Sequence, residues 1–135
     1  MLLVSPDKLS DWIDCETGVS QWFEVDQTRI DAFAECTEDF QFIHVDPQRA
    51  RAEGGFDGTI AHGFLSLSLL SRFAMDARLS LQGVVTSINY GFDKLRFVNP
   101  VASGANIRGR FVLREAVERK PGQWMLAYDV TVEIA

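Results

Sequence analysis

The sequence predicts an α+β fold in which a curved antiparallel β-sheet wraps around one long central α-helix, and three observations predict it. Over residues 63–81 there is no internal Gly or Pro. Phe64, Leu65, Leu67, Leu69, Leu70, Phe73, Met75 and Leu79 there fall almost all the way round a helical axis, so this helix has to be buried on most sides. After Gly83 the composition turns to Val, Ile, Phe and Tyr, first over 84–98 and then, past Asn99-Pro100, over 107–117, which is the composition of strands. The last segment alternates, with Trp124, Leu126, Tyr128, Val130, Val132 and Ile134 on one face and Asp129, Thr131 and Glu133 on the other, as an antiparallel sheet with one buried face requires. A helix that is apolar nearly all round, followed by a meander of long strands, finds cover when the sheet curves over it.

The earlier elements follow in order. Residues 21–25 read as a short strand, and Asp26 then suits the N-cap of a helix over 27–36 whose Ile30, Phe33 and Ala34 share a face. No period holds over 40–46. Pro47 opens a short helix through Ala52, since proline fits a first helical turn. Gly54, Gly55 and Gly58 make a flexible loop before the central helix. On that helix Arg72 and Asp76, four residues apart, mark the side that reaches water. Lys120-Pro121-Gly122-Gln123 places Pro and Gly where a type II turn wants them.

Composition bounds the function. A chain of 135 residues, 47% hydrophobic and 24% charged, has the balance of a folded domain, and with no repeat or linker it reads as one domain over 1–135. The net charge of -6 speaks against nucleic acid, which needs Lys and Arg in surplus on one face. Cys15 and Cys36 lack the spacing of a disulfide framework or a zinc site, so no metal is expected. The apolar run in residues 1–8 is too short for a signal peptide. The longest apolar stretch, within 64–81, is broken by Arg72, Asp76 and Arg78, so no membrane span is expected and the location reads as cytoplasmic.

Both histidines lie in one part of the chain, in Asp39-Phe40-Gln41-Phe42-Ile43-His44-Val45-Asp46 and in Ile60-Ala61-His62-Gly63-Phe64. A carboxylate and an imidazole on one irregular loop, Asp39 and His44, can converge on a single water, one accepting its proton and the other donating to a reacting carbon, with no cofactor. The same residues also fit a turn-capping Asp and a satisfied, half-buried His. His62-Gly63 sits where the central helix begins. The free N–H groups of a first turn welcome an anionic oxygen there, unless Gly63 only permits close packing and His62 is an ordinary first-turn residue. Ser66, Ser68 and Ser71 lack a nucleophile-elbow pattern and read as small packing residues. Arg49, Arg51, Lys94 and Arg96 could meet phosphates or simply face solvent.

The segment Thr37-Glu38-Asp39-Phe40-Gln41-Phe42-Ile43-His44-Val45-Asp46-Pro47 resembles the hydratase 2 motif of the MaoC-like, R-specific enoyl-CoA hydratases, [ST]-G-D-x-N-P-[IL]-H-x-D, with the same Asp-to-His spacing. The resemblance continues through Thr59-Ile60-Ala61-His62-Gly63-Phe64, Asn89-Tyr90-Gly91, Lys94-Leu95-Arg96-Phe97, Pro100-Val101 and Gly104. It implies a hot-dog fold paired into a homodimer, which would also cover an exposed sheet edge. It further implies an acyl chain entering beside the central helix, Asp39 and His44 holding the catalytic water, and Gly63, through its N–H, together with His62 as the oxyanion and substrate-binding residues. The implied substrate is a 2-enoyl thioester of coenzyme A or an acyl carrier, with coenzyme A as part of the substrate and no further cofactor. The implied product is the (R)-3-hydroxyacyl thioester.

Three positions depart from the motif: Glu38 stands for Gly, Gln41 for Asn and Phe42 for Pro. If the motif's Gly has positive φ, Glu38 strains the loop. Two other readings stay open on the sequence. A hot-dog thioesterase would commonly place a carboxylate on or near the central helix, where the first turns after Gly63 carry none. A non-catalytic acyl-thioester-binding subunit would keep the fold without turnover.

Overall fold

The computed structural model describes residues 2–135; Met1, with which the segment 1–8 begins, lies outside the described residues. The chain runs β1 (Leu2–Val4), a 3-10 helix (Pro6–Trp12), β2 (Glu16–Val19), β3 (Phe23–Val25), α1 (Gln27–Thr37), α2 (Phe42–Val45), α3 (Pro47–Glu53), α4 (Gly63–Ser68), α5 (Leu70–Ala77), β4 (Leu79–Leu81), β5 (Ala105–Lys120) and β6 (Gln123–Ile134). These form two compact units. The first comprises the described residues up to Gln21 with Ser71–Leu95 and Arg108–Glu133; the second comprises Trp22–Leu70, Arg96–Ile107 and Ile134–Ala135.

In the first unit β1 and β4 pair in parallel, Leu2 opposite Leu79 and Val4 opposite Leu81. β2 pairs antiparallel with β5, Glu16 opposite Val112 and Val19 opposite Arg110. β6 lies beside β5, and the turn between them has Gly122 at φ 76°, the left-handed position that a type II turn reserves for glycine. Val4, Leu9, Leu79, Leu81 and Leu113 form a buried cluster flanked by Trp12, Trp124 and Tyr128. Gly109 is required on β5, because a Cβ there would come within 2.9 Å of Phe73 and Phe111 side-chain atoms. In the second unit β3 pairs antiparallel with the start of β5, Phe23 opposite Ile107 and Val25 opposite Ala105. Val25, Ile30, Ala34, Ala50 and Ile107 are fully buried there.

Two expectations are corrected. The helix expected over 63–81 is α4 and α5 separated at Leu69, whose N–H is shared between the carbonyls of Leu65 and Leu67. It stops at Ala77, where Leu79-Ser80-Leu81 instead alternates inward and outward in pairing with β1. Nor is it buried all round, since Phe64 and Met75 are more than 60% exposed, at 64% and 62%. Residues 84–98, expected as a strand, lie in no helix or strand, and Val85, Ile88 and Tyr90 are exposed. Strand-forming composition gives a ladder only where a second strand pairs with it. Arg72 and Asp76, four residues apart, form an ion pair at 3.0 Å, which holds the Asp76 carboxyl below the usual carboxylate range. No helix among the described residues is long and apolar enough to cross a membrane.

Candidate active site

Helix ends position the reactive groups. The Asp26 carboxylate accepts the Arg29 N–H at 2.9 Å and starts α1. The helix ends where Glu38 takes φ 59° and ψ 22°, a left-handed cap that turns the chain into Asp39. Glu38 therefore occupies the positive-φ position that the motif gives to glycine. The Asp39 carboxylate accepts the Gln41 N–H at 3.3 Å, and the residue is exposed. One helical turn, α2, follows and carries His44. Asp46 then caps α3 by accepting the Arg49 N–H at 2.9 Å, so the turn bearing His44 is anchored on both sides.

Both imidazoles are buried, His44 at 6% and His62 at 2% exposure. His44 Nδ1–H donates to the Ile60 carbonyl at 2.7 Å, and the Ile60 N–H donates back to the Ile43 carbonyl at 2.9 Å. A carbonyl can only accept, so the neutral His44 ring keeps its lone pair on Nε2. His62 Nε2–H donates to the Asp39 backbone carbonyl at 3.0 Å, which leaves the lone pair on Nδ1. The two rings stack with centroids 3.9 Å apart and planes 25° apart, and Phe33 packs on His62 at 4.9 Å. Burial pushes the His44 pKa below the ordinary imidazole value; the Ile60 carbonyl opposes that shift, His62 adds to it and the Asp39 carboxylate opposes it.

Gly63 is the first residue of α4, where N–H groups have no intrahelical partner. A Cβ at Gly63 would sit 3.2 Å from ring carbons of Phe97, and Phe97 in turn meets Phe64 edge-on at 5.9 Å. Of the four residues singled out, Asp39, His44 and His62 offer polar atoms within 4.8 Å of one another, and Gly63 follows His62 directly. The three side chains are of metal-ligating type, but the ring geometry does not suit an ion. The in-plane lone pairs of two nearly parallel rings 3.9 Å apart cannot both aim at one ion at about 2.1 Å. The arrangement suits proton transfer: an imidazole with an open nitrogen beside a carboxylate, able to hold one water between them.

Sequence reasoning missed Gln27. Its amide N–H₂ donates to the His44 carbonyl at 2.8 Å and to Asp31 at 2.7 Å, while its oxygen accepts the Thr59 hydroxyl at 2.5 Å. It thereby ties the start of α1 to both loop segments, yet a glutamine in a first helical turn carries no signal of that. The other candidates have local partners. Ser68 donates to the Phe64 carbonyl, Ser71 accepts from Asn89, Arg49 lies over the Phe42 ring at 4.2 Å and pairs with Glu53, and Arg51 donates to the Asp57 carbonyl.

Comparison with known proteins identifies the family. The MaoC like domain matches residues 10–133. Nodulation protein N of Rhizobium leguminosarum bv. viciae is 50% identical over 119 residues, which cover 88% of this chain and 74% of that protein. A 3-hydroxyacyl-thioester dehydratase Z of Mycobacterium tuberculosis is 40% identical, over 88% of this chain and 78% of the relative. Among solved structures, the (R)-hydratase of A. caviae involved in PHA biosynthesis superposes with a TM-score of 0.68 at 26% identity, over 88% of this chain and 85% of that one. The chain belongs to the MaoC-like domain family and has the α+β, hot-dog fold.

Proposed function

We propose that this chain is a hydro-lyase that reversibly hydrates 2-enoyl thioesters to (R)-3-hydroxyacyl thioesters. The observation that carries the reading is the His44 ring, bound through Nδ1 to the Ile60 carbonyl so that Nε2 is its open nitrogen, near the Asp39 carboxylate. The relatives named dehydratase and (R)-hydratase support the reaction class. In the hydration direction Asp39 and His44 orient a water. Its oxygen bonds to C3 as the C2–C3 π electrons move toward the thioester carbonyl, one water proton passes to the pair, and the pair returns a proton to C2. The Gly63 N–H binds the carbonyl oxygen as negative charge develops on it, a contribution of about 3–4 kcal/mol for such donors. Dehydration runs the same steps backward.

The substrate carries its acyl group on coenzyme A or a carrier arm, and the chemistry calls on no metal or other cofactor. The enzyme works in the cytoplasm as a homodimer. The exposed apolar residues Val85, Ile88, Tyr90 and Val98, on a segment outside any strand, support self-association, because a second copy would take that apolar surface out of water.

The test follows crotonyl-CoA absorbance with wild type, Asp39→Asn and His44→Gln. Wild type is expected to give the (R)-alcohol, and each variant is expected to lose about 10²- to 10⁴-fold in kcat. Release of free thiol by wild type would instead indicate a thioesterase, and full activity in either variant would remove the pair from the mechanism.

A further inference from the structure

We propose that His62 is a positioning residue for Asp39 and His44, one that contacts both and never touches the thioester. The inference builds on the role given to that pair above. His62 contacts both members at once. Its Nε2–H holds the backbone carbonyl of Asp39 at 3.0 Å, and its ring face lies against His44 at 3.9 Å. A shift of either partner alone breaks one of these contacts, so the ring fixes the Asp39 backbone, from which the carboxylate projects, relative to the His44 imidazole.

The ring has no surface to offer a substrate, being 2% exposed and packed by Phe33 and His44. Its Nδ1 is buried with no hydrogen-bond partner among the described residues. Protonating that nitrogen would bury an N–H without an acceptor and set a positive charge against His44, whereas a bare lone pair costs less. The hydrogen bond to Asp39 therefore places the ring hydrogen on Nε2 and leaves Nδ1 bare. The titratable groups that act on His44 are Asp39, which favours its charged form, and His62, which disfavours it; Phe33, on the other contact of His62, carries no charge.

The experiment compares wild type with His62→Gln, His62→Phe and His62→Ala by steady-state kinetics and by ¹⁵N NMR titration of the imidazoles. Gln keeps a donor for the Asp39 carbonyl, Phe keeps a ring against His44, and Ala keeps neither. In wild type the spectra are expected to show Nδ1–H on His44 and Nε2–H on His62. His62→Ala is expected to lower kcat about 10- to 100-fold, with KM within about threefold, and Gln or Phe to recover part of it. The His44 titration is expected to move to higher pH in His62→Gln and His62→Ala, because loss of the ring lets water reach His44 and relieves the burial that holds its pKa down. If Ala does not fold, Gln and Phe carry the same comparison. A raised KM with unchanged kcat would make His62 a substrate contact. Unchanged kcat and an unchanged His44 titration in folded Gln and Phe variants would overturn the proposal. Absence of thioester turnover in wild type would defeat the hydratase reading alone, since the tautomers and the His44 shift are read without substrate.

Discussion

Two backbone carbonyls, of Ile60 and Asp39, decide which nitrogen of each histidine carries its hydrogen, and that choice leaves Nε2 of His44 open. The His44 pKa lies below the ordinary value of 6.5, chiefly through burial, so the sign of its pH effects is fixed. Between its folded and unfolded pKa values the unfolded chain binds more protons, so stability is present above the unfolded value and is lost as pH falls through the folded one. The urea midpoint of wild type is expected to fall as pH drops below 6.5, and His44→Gln to lose that part of the dependence. The acid limb of kcat/KM should fall through the lower, folded-state pKa, because protonation of the folded His44 removes the open nitrogen. Equal pH dependence of the midpoint in both proteins would show that His44 does not titrate in this way. Glu38 shows what one residue can tolerate: its left-handed conformation costs a non-glycine residue about 1–2 kcal/mol, yet the helix still ends in time to present Asp39.

At the scale of elements, local signals were legible where they need no distant partner. The Asp26 cap and apolar face of α1, Pro47 at the head of α3 and the Pro-Gly turn before β6 all formed as the residues suggest, whereas the in-out alternation of β6 holds only over residues 128–132 and Ile134, expected on the inner face, is exposed. α1 matters to the site because its first residue, Gln27, holds the His44 carbonyl and Thr59. Asp26→Ala removes the acceptor for the Arg29 N–H and is expected to lower stability by about 1 kcal/mol, measured by urea denaturation. Amide exchange should quicken first at the start of α1, and uniform exchange with no loss of stability would show that the cap is dispensable. The parallel pairing of β1 with β4 was not legible, since Leu2 and Leu79 are far apart in the chain and neither short run of apolar residues names its partner.

At the scale of the whole molecule, the segment 84–98 combines strand-forming residues with exposure, Val85 at 99% and Tyr90 at 90%. Such a segment finds cover when another strand pairs with it or another surface packs on it. If a second copy supplies that cover, light scattering should give twice the chain mass for wild type and the single mass for Val85→Asp/Ile88→Asp, with the fold retained by circular dichroism. A wild type of single-chain mass at micromolar concentration would exclude the homodimer.

The sequence by itself determined the fold class, the caps that start α1 and α3, and the candidacy of Asp39, His44, His62 and Gly63, because composition, periodicity and motif spacing are properties of neighbours in the chain. Only the tertiary structure decided that His44 and His62 stack, that the Ile60 and Asp39 carbonyls select their tautomers, that Gln27 braces the loop, and that residues 84–98 are outside the strands. Those outcomes depend on which groups meet across the chain, where burial and a single accepting carbonyl set the protonation of a ring that the sequence leaves undefined.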